Sequence, residues 1–90
     1  MKETRLTIAN KDGLHARPAA MFVGTARKYQ SSIMVSNLSV GSAWVDAKSI
    51  LEVLTLGVYS GHSICVQAEG VDEAEAVMAI SELVDGRFAS

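Results

Sequence analysis

Four short stretches of this chain alternate polar and apolar residues, and none of them is apolar on both sides. Arg5-Leu6-Thr7-Ile8-Ala9 puts Leu6 and Ile8 together, and Ser32-Ile33-Met34-Val35-Ser36 does the same with Ile33 and Val35. Ala43-Trp44-Val45-Asp46 is a shorter third stretch. His62 to Ala68 sets Ile64, Val66 and Ala68 on one face and Ser63, Cys65 and Gln67 on the other. A period of two marks half-buried strands. Strands with one apolar face belong to a sheet covered on one side only, which is the habit of antiparallel sheets.

The cover comes from three helical stretches. After His15 the chain turns Ala-rich, and Ala19, Phe22, Val23 and Ala26 recur at helical spacing through Lys28. Pro18 falls where a first helical turn tolerates it, and Gly24 costs that helix about 1 kcal/mol relative to Ala. Ser49-Ile50-Leu51-Glu52 fits a capping box, and Gly57 stops the short helix after Leu56. Asp72-Glu73-Ala74-Glu75 reads as a second capping box with acids at the positive end of the helix dipole, and Val77, Ile80 and Val84 form the buried stripe beyond it. Asn10-Lys11-Asp12-Gly13 is a turn, and Asn37 to Ser42, with Gly41, is a hairpin loop. The order β-α-β-β-α-β-α predicts an α+β architecture, with one four-stranded antiparallel sheet, helices on one side and a wetter face on the other. Ninety residues without repeat or linker are expected to form one domain, residues 1–90.

A formal net charge of −2 provides no basic field for nucleic acid or an anionic membrane. No apolar run reaches the ~20 residues of a membrane span, and Met1 to Arg5 leads into alternation rather than a signal peptide's apolar stretch. Cytoplasmic placement without membrane insertion is the expectation. The single Cys65 cannot form an internal disulfide or a cysteine-built zinc site. No metal or cofactor is called for.

Chemistry concentrates in Gly13-Leu14-His15-Ala16-Arg17-Pro18-Ala19-Ala20. His15 lies at a helix N-terminus, where free N–H groups and the positive dipole end suit a phosphate. Arg17 adds always-charged planar donors matched to phosphate oxygens. A neutral imidazole is a competent nucleophile. By spacing alone, a histidine beside an arginine at a helix start is more often a cap or a surface pair.

The same stretch resembles the active-site motif of the HPr family, the histidine phosphocarriers of the sugar phosphotransferase system. The resemblance continues through Ala47-Lys48-Ser49-Ile50-Leu51, Leu54-Thr55-Leu56-Gly57 and Ala68-Glu69-Gly70. It implies an open-faced β-sandwich with three helices on one face. It implies that His15 accepts phosphoryl through a ring nitrogen from Enzyme I, charged by phosphoenolpyruvate, and delivers it to IIA domains of sugar permeases. Arg17 would stabilise the phosphate. Ile50, Leu51 and Leu54 match the apolar docking patch, to which Phe22 is added as a candidate, with core packing its alternative. Such a protein is a carrier rather than an enzyme. It is expected to be a monomer, since the His15 face must meet several partners in turn.

Ser49 matches the serine that an ATP-dependent HPr kinase/phosphorylase modifies in many Gram-positive relatives, which would bring in a catabolite-control transcription factor. The bland reading is an N-cap. Several features depart from the pattern: a longer Asn37–Ser42 loop, Trp44 after it, Glu52 in the docking helix, and Gly24 where relatives often carry a side chain. They open two alternatives, a catabolite-repression paralogue and an HPr-like domain of a multi-phosphoryl-transfer protein. His62 reads as a solvated surface histidine, and Cys65 as an inert thiol on the open face with no cation nearby, a face Met34 and Trp44 are expected to share. Asp72, Glu73 and Glu75 are assigned to capping rather than to metal.

Overall fold

The computed structural model describes residues 1–89. Its elements follow the expected order: β1 (Lys2–Thr7), α1 (Ala16–Ala26), β2 (Ser32–Asn37), β3 (Val45–Asp46), α2 (Ile50–Thr55), β4 (Ser63–Glu69) and α3 (Glu73–Asp85). The four strands form one antiparallel sheet in the order β1-β4-β2-β3. Register puts Leu6 opposite Ile64 and Val35 opposite Val66, so the apolar sides anticipated from alternation coincide on one face. Ile33, Val35, Ile64, Val66 and Ala68 are all buried there beneath Ala19, Phe22, Ala26, Val53, Ala76, Ile80 and Val84. This is the open-faced sandwich.

Boundaries moved where pairing rather than pattern decides. β1 begins at Lys2 and ends at Thr7, because β4 supplies partners from Ala68 back to Ser63. Ile8 and Ala9 fall outside it, although Ile8 still bonds His62 across the gap (N–H to O, 2.8 Å). β3 shrinks to Val45–Asp46, the two residues that pair with β2, leaving Ala43 and exposed Trp44 in the loop ahead of it. α1 stops at Ala26, and α3 buries Ala76 fully while Val77 is only half-buried.

Phe22 is completely buried in the core. Its candidacy for the docking surface is therefore corrected in favour of the core-packing alternative: the helical period it shares with Ala19, Val23 and Ala26 points inward, and removing a ring of that size from a core costs about 3–5 kcal/mol.

The capping boxes are also revised. Ser49 Oγ accepts from Glu52 N–H at 3.3 Å, but the Glu52 carboxylate accepts from Asp46 N–H (3.1 Å) instead of returning to Ser49. Asp72 caps nothing in α3 with its side chain. Its carboxylate reaches across to the α1–β2 connection, accepting from Gln30 N–H (2.8 Å), Ser31 N–H (2.9 Å) and the Ser31 hydroxyl. The Ser31 hydroxyl first, and Gln30 N–H next, hold the Asp72 carboxyl below the usual carboxylate range. A depressed folded value stabilises the protein above the ordinary carboxylate pKa, and that contribution disappears as pH falls through the folded value. Asp72→Asn is expected to lower the melting temperature at pH 7 and to flatten its decline between about pH 5 and pH 2. Thermal melts across that range check this, and parallel curves for the two proteins would contradict it.

Candidate active site

The turn before His15 is tightly built. Asn10 Nδ2 donates to Gly13 O (2.8 Å), and Gly13 N–H returns to Asn10 O (3.2 Å). Gly13 adopts φ +60°, and its α-carbon is pressed so close to Val58 that an added Cβ would lie 2.2 Å from the Val58 carbonyl oxygen. Leu14 is fully buried and donates its N–H to the same oxygen (3.0 Å). Two residues on, Ala16 takes φ +51°, a left-handed conformation that costs a non-glycine residue about 1–3 kcal/mol. The chain thus bends sharply at Gly13, before Leu14 and His15, and again at Ala16, the first residue of α1.

His15 is the N-cap residue of α1, with φ −126° and ψ 162°, yet its side chain makes no capping hydrogen bond. Its Nε2 is sealed from solvent and has no partner among the described residues, whereas Nδ1 is not sealed in this way. The N–H groups of Ala16 and Arg17 donate to no acceptor among the described residues, and Pro18 has no N–H to offer. That leaves donors at the positive end of an eleven-residue helix.

Arg17 is exposed, and among the described residues no carboxylate lies within ion-pair distance of it. Among the described residues its one hydrogen bond runs from Nη1 to the Phe88 carbonyl oxygen at 3.5 Å, at the limit of hydrogen-bond range. Phe88 is buried just past α3, where it and Arg87 both take positive φ. A guanidinium held so loosely can turn toward a phosphate at little cost.

α2 carries the expected apolar surface: Leu51 is 75% exposed, with Ile50 and Leu54 exposed beside it. A shallow groove of about 300 Å³ separates it from α1, lined by Ala20, Val23, Gly24, Arg27 and Ile50. Gly24 leaves the groove open, since a Cβ there would meet nothing within 4 Å. Arg27 Nε ties the end of α1 to Lys48 O (3.0 Å), directly before Ser49. Ser49 is half-buried at the N-cap of α2. His15 and Ser49 thus stand at the N-caps of two packed helices that carry Arg17 and the groove, while Phe22 lies in the core.

Two background residues differ from expectation. His62 is not simply solvated: its Nδ1 accepts from Tyr59 N–H (3.1 Å) and faces Asn37 Nδ2 (3.2 Å). Cys65 does point away from the helices, but it is 3% exposed rather than open. Burial first, and Glu3 second, push its thiol pKa up, against the opposing charge of Arg5, its partner in register. The sequence reading missed Tyr59, whose ring lies beside His15 with centroids 5.1 Å apart. Position in a loop far along the chain gave no signal for it.

The family model described as the PTS HPr component phosphorylation site matches residues 2–85. A phosphocarrier protein HPr of Xylella fastidiosa is 44% identical over 88 residues, covering 98% of this chain and 96% of the relative. A multiphosphoryl transfer protein of Vibrio cholerae is also 44% identical, over 78 residues; the match covers 87% of this chain but about a fifth (20%) of that longer protein. The crystal structure of HPr-C-His from Thermoanaerobacter tengcongensis superposes with a TM-score of 0.94 at 46% identity, covering 100% of this chain and 98% of the other. No helix among the described residues is long and apolar enough to cross a membrane.

Proposed function

This chain belongs to the HPr family of phosphocarriers, and from that membership we propose that residues 1–90 act as one carrier domain that takes phosphoryl onto His15 from Enzyme I and passes it to IIA domains of sugar permeases. The observation that carries this reading is that His15 occupies a cap position without capping. A histidine retained for structure would satisfy an orphan N–H; this one leaves donors beside it unspent. Nδ1, the ring nitrogen not sealed inside, is the attacking atom. Its lone pair forms the N–P bond while the donor's bond to phosphorus breaks and the donor keeps that electron pair. The ring proton then resides on Nε2. The free N–H groups of α1 and the Arg17 guanidinium, released from Phe88 O, meet the phosphoryl oxygens. Arg17 remains solvated, which limits its hold and permits the onward step.

Ile50, Leu51 and Leu54, with the adjoining groove, supply an apolar docking face without any side chain that needs unburying. Glu52 spends its carboxylate on Asp46 N–H, so its charge is tethered toward β3 instead of lying free in that face. The protein acts as a monomer in the cytoplasm, the face around His15 remaining available to successive partners. Incubation with phosphoenolpyruvate and Enzyme I, followed by a IIA domain, tests the reading. Acid-labile label at His15 that moves on supports it, and the absence of label overturns it.

Similarity to part of a multiphosphoryl transfer protein favours a second reading, that the same chemistry operates within a fused protein. Regulation at Ser49 by a kinase/phosphorylase, with a catabolite-control transcription factor as partner, is a separate proposal. Ser49 sits directly before the exposed patch, and a dianion there would have to be desolvated whenever a partner docks. Ser49→Asp is expected to slow Enzyme I-dependent labelling of His15 by about tenfold or more, as a misplaced interfacial charge does. Transfer kinetics identical to those of the native protein would remove the regulatory role.

A further inference from the structure

Tyr59 has an exposed ring on a small protein, and burial does not explain its placement: 62% of the residue is open to solvent. Its surroundings are nevertheless built. Its N–H is taken by His62 Nδ1, and the His62 ring meets the Tyr59 ring edge-on, with centroids 5.8 Å apart and planes at 78°. His62 is backed in turn by Asn37, a fully buried polar residue whose amide also donates to Leu56 O at 3.1 Å. The loop carrying Tyr59 is stitched to the segment that carries His15. Leu14 N–H bonds Val58 O, Ile8 N–H bonds His62 O (2.8 Å), and Gly61 N–H bonds Ile8 O (2.7 Å). Asn37, His62 and Tyr59 therefore form a bracket on the same frame as the His15 turn. The outer end of that bracket is a ring tilted 43° against the His15 imidazole, within the distance at which aromatic pairs attract.

We infer that Tyr59 is a positioning residue for His15: its ring fixes the rotation of the imidazole, with Nε2 turned inward and Nδ1 presented to the phosphoryl donor, and His62 with Asn37 holds Tyr59 in place. The inference rests on the carrier reading of His15. Without the neighbouring ring, the half-buried imidazole gains freedom to turn, and fewer encounters find Nδ1 in line. The phenol oxygen has no part in this; the flat ring does the positioning.

Potassium phosphoramidate, a small phosphoryl donor, tests this without any protein partner. In the reaction imidazole nitrogen displaces ammonia: the N–P bond to the ring forms, and the departing nitrogen keeps the pair of the bond that breaks and takes up a proton. Tyr59→Ala is expected to label His15 about three- to tenfold more slowly, and Tyr59→Phe within about twofold of native. His62→Ala should approach the Tyr59→Ala rate, and the double variant should lose little more, since both act through one ring. Tyr59→Leu keeps apolar bulk without an aromatic plane; it guards against a folding failure of the alanine variant and is expected to be slow as well. Native-rate labelling of Tyr59→Ala or Tyr59→Leu, or a Tyr59→Phe protein as slow as either, overturns the inference while leaving the carrier intact. A native chain that takes no label at His15 overturns the carrier reading itself.

Discussion

A His15→Ala protein is expected to accept no acid-labile phosphate from phosphoenolpyruvate and Enzyme I and to deliver none to a IIA domain, a loss of about a thousandfold or more, as when a covalent nucleophile is removed. Among the described residues nothing else is placed to substitute. His62 is the only other histidine, and its Nδ1 is occupied by the Tyr59 N–H and the Asn37 amide. Ser49 spends its hydroxyl on Glu52 N–H, and a serine ester would survive the acid that releases phosphohistidine label. The substitution also spares the fold. His15 contributes no capping hydrogen bond, so alanine gives up only the ring's contact with Tyr59, about 0.5–1.5 kcal/mol, and the melting temperature should fall by no more than about 12 °C. A mutant that folds and transfers nothing locates the carrier function in one imidazole; a mutant that still relays label refutes it.

The motif around His15 was legible because its parts are contiguous: a turn, a histidine, an arginine and a proline within six residues leave few local structures open. The sheet was legible for a different reason. Alternation reports which side of a strand is apolar, and register then aligned those sides without conflict. The same signal could not report how well the opposite side is covered, which is why Cys65 proved buried. Nor could periodicity distinguish Phe22 in the core from Phe22 on a docking face, since both lie on the apolar stripe of α1. The contacts that escaped the sequence join distant loops. Asp72 looks like a cap by spacing, but the Gln30–Ser31 corner brings three donors to its carboxylate, more than the helix start offers. Tyr59 and His62 acquire their roles only when the 57–62 loop folds against the His15 turn.

That docking of loops makes Gly13 the position where one added methyl group should do most harm. Gly13 and Gly41 have nearly the same backbone, φ +60° and φ +65°, so alanine meets the same left-handed penalty at both, about 1 kcal/mol or somewhat more. At Gly41 nothing lies within 4 Å of the new Cβ, and the penalty is the whole effect. At Gly13 the Cβ would stand 2.2 Å from Val58 O and 2.9 Å from Tyr59 Cα, backbone atoms that cannot rotate aside. Relief requires the two loops to part, which strains or breaks the Leu14 N–H to Val58 O bond, and overpacking of this kind adds about 1–3 kcal/mol. Gly41→Ala is therefore expected to lower the melting temperature by about 4–8 °C and Gly13→Ala by roughly 12–25 °C. The functional consequences should separate as well. Below its melting transition, Gly41→Ala should accept phosphoryl at the native rate, because the added methyl group meets nothing that would shift Asn37 or the rings it supports. Gly13→Ala, measured while still folded, should be slow, because the turn bearing His15 no longer seats against the loop bearing Tyr59. Equal melting shifts for the two variants would show that the Val58 contact yields freely. A folded Gly13→Ala protein with native uptake would show that the seating of the two loops does not govern the site.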